Sequence, residues 1–394
     1  VTTSDTQSTA DTQPTSDTRY TSDAQPTSDT RYTSDAQPTS DAQPARPASR
    51  REKSLLTTVL SLVVVLAISI LVGITLGPAP VPLPETVRYL AAAVTGGTID
   101  AADASGYSII WQVRTPRVLL AAVVGAGLSV VGVAIQATVR NALADPFILG
   151  VSSGASVGAS AVVSFGLFAG LGVYALSTAA LLGALGASAL VYLAARGKSG
   201  LTPLRLVLTG VALAYGFQSM MSAIVFFAPF SDSARTVLFW LMGSLGSATW
   251  SGLPLAAATV VLATVLLLWN SRALDVLALG DETAAGLGMD ATAVRKKLFL
   301  LTAIVTGCLV AVSGAVGFVG LVIPHLVRLL VGANHRRVLT IAPLIGAIFL
   351  VWVDLASRTL FAPRELPLGV ITALIGVPVF IVLLRRRGYL FGGR

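Results

Sequence analysis

The 394-residue sequence holds one cysteine, Cys308, and two histidines, His325 and His335. A lone thiol excludes a disulfide within the chain and a multi-cysteine metal cluster, and so few histidines leave metal chemistry without a donor set. Charge is scarce as well: Asp, Glu, Lys and Arg make up 12% of residues, about half the roughly 25% of soluble domains. No run alternates apolar and polar residues as a half-buried strand would. With 54% hydrophobic residues and a mean hydropathy of +0.79, these absences point to a polytopic membrane protein built of helices. Lipid offers no water to the backbone, and each span needs about 20 apolar residues.

Apolar runs fall at about 55–76, 115–138, 148–169, 171–195, 204–228, 251–270, 298–317, 319–332, 339–358 and 367–384. The expected fold is therefore all-α with about ten transmembrane helices, the eighth short. An even number puts both termini on one side. Under this threading the inner segments carry nineteen Lys and Arg against six outside, the distal tail excluded, so the positive-inside rule places the termini in the cytoplasm. The net charge of +8 belongs to this asymmetry and is no nucleic-acid signal. Trp111, Trp250 and Trp352 then lie near the outer boundary and Trp269 near the inner one. The proline-rich stretch 77–107 becomes an external loop.

Residues 3–44 are seven near-copies of a hexapeptide, as in TSDTRY and TSDAQP. They lack the aliphatic residues that a β-helix would bury, which predicts a disordered cytoplasmic tail over 1–53 and a transmembrane domain over 54–394. Within the spans, Gly125, Gly127, Gly132, Gly154, Gly158, Gly183 and Gly186 suit close helix approach.

The longest polar break inside the apolar train runs from Arg272 to Lys297. It carries Asp275, Asp281, Glu282 and Asp290, yet Leu277, Ala278, Leu279, Ala284, Ala285 and Leu287 keep roughly helical spacing, with Gly280, Gly286 and Gly288 as breaks. This pattern predicts two very short helices joined by a turn, a knob for a soluble partner.

Other motifs are weaker. Gly150–Gly154 and Gly154–Gly158 both match G-x-S-x-G, but a nucleophile elbow needs a preceding strand, whereas this stretch opens a membrane helix. A serine protease using Ser152 or Ser156 with His325 is the distant reading. Gly197-Lys198-Ser199 imitates the end of a phosphate loop, but Tyr192 stands where that motif needs glycine. Energy from ATP would have to come from another chain. An ion-driven carrier would show a carboxylate deep in a span; Asp354 sits near an outer end, four residues before Arg358, which favours a local ion pair. Arg114, Arg117, Arg358 and Arg364 put positive charge at the outer mouth, either as interfacial anchors or as a docking surface for an external protein's carboxylates.

Four strings narrow the choice: RTPRVLLAAVVGAGLSVVGVAIQATVRNALADPFILGVSSGA, LALGDETAAGLGMD, GAVGFVGLVIPHLVRLLVGANHR and ELPLGVITALIGVPVFIVLL. In order and register they resemble the FecCD-type permeases of ABC importers for iron-siderophores, haem and cobalamin, over about residues 55–388. The resemblance implies the type II importer fold of the vitamin B12 permease BtuC, in a bacterial cytoplasmic membrane. It implies one of two permease subunits, identical or related, with two ATP-binding subunits beneath and a substrate-binding protein outside. ATP and magnesium would sit on the ATPase, and this chain would hold no cofactor and catalyse nothing. Leu277, Leu279, Gly280, Asp281, Ala284, Leu287 and Gly288 match the family's ATPase-coupling loop. Arg114, Arg117 and Arg358 match its binding-protein docking arginines, and Asn141, Leu143, Thr202 and Leu204 its cytoplasmic gate. Ala142, Pro203 and Leu204 depart from residues usual there. Gln218, Met221 and Ser222 are the expected lining of the translocation path, and an iron(III)-siderophore is the expected cargo.

Overall fold

The computed structural model describes residues 48–197, 200–229 and 232–386. The hexapeptide tract and the Lys198-Ser199 pair lie outside them. The helices are α1 (Ala48–Thr75), α2 (Leu83–Thr95), α3 (Ala104–Ser108), α4 (Thr115–Val139), α5 (Val151–Phe165), α6 (Ala175–Ala195), α7 (Pro203–Phe226), α8 (Ser233–Leu241), α9 (Leu253–Trp269), α10 (Ser271–Ala278), α11 (Asp281–Gly286), α12 (Ala291–Ser313), α13 (Val319–Val331), α14 (His335–Thr359) and α15 (Leu368–Arg386). Ala48–Arg394 forms one compact unit, and α1 begins ahead of the expected boundary at 54.

Each of the ten expected runs coincides with a helix. Among the described residues six helices are long and apolar enough to cross a membrane, or seven when α9 and α10, bent by 64° at Asn270, are counted as one span. The others, α5, α13 and α15, are shorter apolar helices. Among the described residues three helices were not foreseen, the short α3 among them. α8 falls in an expected loop, and α2 lies inside the expected external loop, where Pro84 and Glu85 in its first turn and left-handed Gly96 after its end are ordinary start and stop signals.

The bundle is built around α4, whose apolar window is 78% buried, against 6% for α1 and 11% for α7. α14, α12, α13, α9 and α1 all pack on α4, while α5 and α6 pair beside it. Glycine makes these approaches possible. A methyl group at Gly125 would collide with the Gly346 carbonyl of α14, and one at Gly132 with the Gly320 carbonyl of α13. Gly158 meets the Ala179 carbonyl of α6 in the same way, and Gly154 and Gly183 meet each other. Gly186 was expected in this set, but open space lies above it.

Candidate functional site

α4 and α14 each run from one polar cluster to another, and the 25 residues of α4 separate the two ends by about 37 Å at 1.5 Å per residue.

At one end Asp354, fully buried, sits between two arginines. Arg117 donates from Nε to its Oδ1 at 2.8 Å, and Arg358 donates from Nε to its Oδ2 at 3.1 Å, the i to i+4 pair expected from the sequence. The remaining nitrogens of Arg117 grip Glu365 bidentately, at 2.8 and 3.0 Å. Arg358 then donates to the carbonyls of Leu76, at 3.0 Å, and Gly73. Arg114 donates to those of Ile74 at 3.2 Å, Thr75 at 2.7 Å, and Ala79. The last carbonyls of a helix have no partner within it and carry its negative dipole end. Two guanidinium groups therefore cap α1 from α14 and from the turn leading into α4. Trp250 closes this end by donating to the Trp111 carbonyl at 2.9 Å, with the rings 4.4 Å apart.

These contacts change the picture of the arginines. Arg114, Arg117 and Arg358 were expected at the outer mouth as anchors or docking residues, with Arg358 paired to Asp354; all three are buried and occupied by chain partners. The charges that reach solvent here are Arg364 and, by two-fifths of its side chain, Glu365.

At the opposite end the polar break is two short helices and a turn, as the sequence suggests. Leu274 and Leu277 anchor α10 in the core, while Leu279 and Leu287 are 66% and 64% exposed. Gly280 has φ 115° and ψ 160°, backbone open essentially to glycine alone, which lets α11 start directly after α10. Ala284 is buried, Gly288 exposed. Asp275 of α10 accepts the backbone N–H of His335 at 2.9 Å and lies 2.6 Å from its ring Nδ1, so it caps α14. Asp281, half-buried, accepts from Nη2 of Arg295 at 2.7 Å.

The expected gate segments adjoin this knob. Asn141 is exposed and its Oδ1 accepts the Leu143 N–H at 2.9 Å. Thr202 precedes α7, and Leu204 in its first turn is 68% exposed. A cavity of about 490 Å³ between knob and gate is lined by Gln136, Arg140, Asn141, Asp275, Leu279 and His335. Asp145 accepts from the Phe147 N–H at 2.8 Å. Burial pushes its carboxyl up from 3.8 to about 6, against the backbone N–H groups of Phe147 and Phe318, which pull it down.

On α7, Gln218 and Ser222 share an exposed face, with Ser222 donating to the Gln218 carbonyl at 3.0 Å. Gln218, Met221 and Ser222 stand at i, i+3 and i+4 and so share one side of α7, but Met221 is 6% exposed, at an edge of that side covered by packing within the chain. Ser156 donates to the Ser152 carbonyl within its own helix at 2.8 Å, an ordinary helical contact for a membrane serine. In sequence Arg295 is only one of the nineteen inner charges, beside Lys296 and Lys297. Lys296 and Lys297 are exposed and Arg295 is 1% exposed, a difference that depends on the fold.

A helical membrane-spanning bundle with a helical knob beside two loops at one end is the arrangement of a transport permease. The profile of the FecCD transport family matches residues 65–386, and the chain belongs to that family. It is the permease subunit of a bacterial FecCD-type ABC importer, a family without ATPase activity of its own, and no cofactor is expected. The uncharacterized ABC transporter permease YvrB of Bacillus subtilis (strain 168) is 40% identical over 82% of this chain and 91% of its own length. The iron(3+)-hydroxamate import permease FhuB of the same organism is 39% identical over 72% of each. Permeases named for hemin in Yersinia pestis, molybdate in Haemophilus influenzae and vitamin B12 in Vibrio cholerae are 35% to 43% identical, covering 71% to 82% of this chain and 83% to 93% of theirs. An ABC transporter described as metal-chelate type, solved in an inward-facing conformation, shares the fold at a TM-score of 0.73 and 33% identity, covering 84% of this chain and 99% of that one.

Proposed function

We propose that this permease carries an iron(III)-siderophore or a related metal chelate, with α10 and α11 as the element that takes up the motion of the ATPase. The observation that carries the proposal is the knob itself. Leu279 and Leu287, each about two-thirds exposed, flank a short helix held at a fixed angle beside the gate segments. Exposed leucines on such a rigid element suit insertion into a groove of a soluble partner. Closure of that partner on ATP drives transport only if it favours one permease arrangement over the other.

In this reading the knob, the gate at Asn141, Leu143, Thr202 and Leu204, and both termini face the cytoplasm. The arginine-sealed end faces outward. A binding protein docks there by exchanging one of its carboxylates for Glu365 on Arg117. A second permease subunit, identical or related, faces the open side of α7, and Gln218 and Ser222 line the path between them. Two ATP-binding subunits complete the assembly. Iron-chelate cargo draws support from relatives named for iron(3+)-hydroxamate, Fe(3+)-citrate and Fe(3+) dicitrate; haem and cobalamin are the second reading, supported by those named for hemin and vitamin B12.

The test is reconstitution with the cognate ATPase and binding protein, measuring ATP hydrolysis with a ferric trihydroxamate, hemin, cyanocobalamin or molybdate. Greatest stimulation by the ferric trihydroxamate is the expected result. Stimulation by one of the others alone replaces the cargo. Leu279→Glu with Leu287→Glu should release the ATPase on co-purification; full retention would remove the knob from the mechanism.

A further inference from the structure

We propose that Arg295 is the positioning residue through which movement of the knob reaches both gate segments at once. It rests on the reading of α10 and α11 as the coupling element and deepens it. Arg295 lies one turn into α12 and is 1% exposed, the largest of the fully buried side chains. Its guanidinium makes three contacts in three directions. Nη2 donates to Oδ1 of Asp281, the first residue of α11, at 2.7 Å; Nη1 donates to the Leu201 carbonyl at 2.7 Å; and Nε donates to the Thr138 carbonyl at 3.2 Å.

Leu201 immediately precedes Thr202, and Thr138 lies three residues before Asn141. Both carbonyls lack a helical partner, because Leu201 sits in a connecting segment and Thr138 in the final turn of α4. Arg295 thus satisfies the backbone at the root of each gate segment, while its third bond holds the knob. A guanidinium is a planar fork whose donors keep fixed angles to one another. Displacing Asp281 therefore turns the whole fork, and the two carbonyls either follow or lose their donor in a site with little access to water. Asp281 is the accessible end of this relay, with 40% of its side chain exposed, and Arg295 its enclosed centre. Lysine at 295 would keep the charge but supply a single point of donation.

The experiment uses the permease–ATPase complex in nanodiscs, with Cys308→Ala and a single cysteine at position 141 or 202. Maleimide labelling is compared in nucleotide-free and ATP/vanadate-trapped states. In the Arg295-containing complex both positions should change reactivity on trapping. In Arg295→Lys that change should shrink about tenfold at both, the size of an ordinary coupling free energy, and uptake per ATP hydrolysed should fall with it. Asp281→Asn, at a partly exposed site, gives the same reading by a second route if Arg295→Lys does not fold, with loss at both positions expected. Nucleotide-dependent labelling that survives in these variants overturns the relay. The two readings fail differently: an ATPase that stays bound to the Leu279→Glu, Leu287→Glu chain overturns the coupling element and the relay with it. Release there, together with intact labelling changes in Arg295→Lys, overturns the relay alone.

Discussion

Asp354 has no water to fall back on: its carboxylate is enclosed and shared between Arg117 and Arg358. Removing it leaves two buried guanidinium groups facing each other, which costs roughly 3–5 kcal/mol by the usual arithmetic of broken buried pairs. Asp354→Ala should therefore lower the melting temperature of the detergent-solubilised permease far more than Glu365→Ala, where the lost carboxylate is partly solvated. Equal losses would mean that enclosure does not govern the cluster. Asp145 gives a pH prediction. Between 3.8 and about 6 the folded chain holds a proton that the unfolded chain has released, so stability falls as pH rises through that window, by roughly 3 kcal/mol in total. Asp145→Asn should remove this fall and melt higher than the parent at pH 7.5, while converging with it near pH 4. Identical pH slopes for the two chains would contradict the assignment. Spacing alone made the Asp354–Arg358 pair legible, because i to i+4 neighbours meet on any helix. Glu365 and the α1 carbonyls were not legible, since they come from elements brought together only by packing.

At the scale of elements, α4 owes its place to glycines that let neighbouring backbones touch. Gly132→Ala would drive a methyl group into the Gly320 carbonyl, and overpacking of this kind costs about 1–3 kcal/mol. Gly186→Ala meets open space and should melt within error of the parent; a large loss there would show that a neighbour outside this chain covers the site. Gly280→Ala is strained by its backbone angle rather than by crowding. Its expected effect is a tilted α11, read as weaker ATPase retention with little change in overall melting. The knob was legible as two short helices because Gly280 interrupts helical spacing at one point. The 64° bend before it was not, because no residue pattern states an angle between helices.

For the whole molecule, Ala48–Arg394 packs as one unit, so removing residues 1–47 should leave permease expression, melting and ATPase association unchanged. Loss of any of these would give the hexapeptide tract a part in assembly. α1 and α7 keep most of their surface uncovered within one chain, and lipid and a second subunit are the surroundings that suit them. Composition and run length were enough to establish a helical membrane protein with ten apolar segments, because lipid accepts so few backbone solutions. Four strings in order were enough to point to the family. What only the tertiary structure decided is which charges are spent inside the chain. Arg114, Arg117 and Arg358 cap a helix and hold a buried carboxylate, and one of three adjacent basic residues, Arg295, turns inward to join Asp281 to the Leu201 and Thr138 carbonyls. Asp354 apart, four residues before Arg358, their partners lie 14 to 285 residues away, and such distances are closed by packing, not by local spacing.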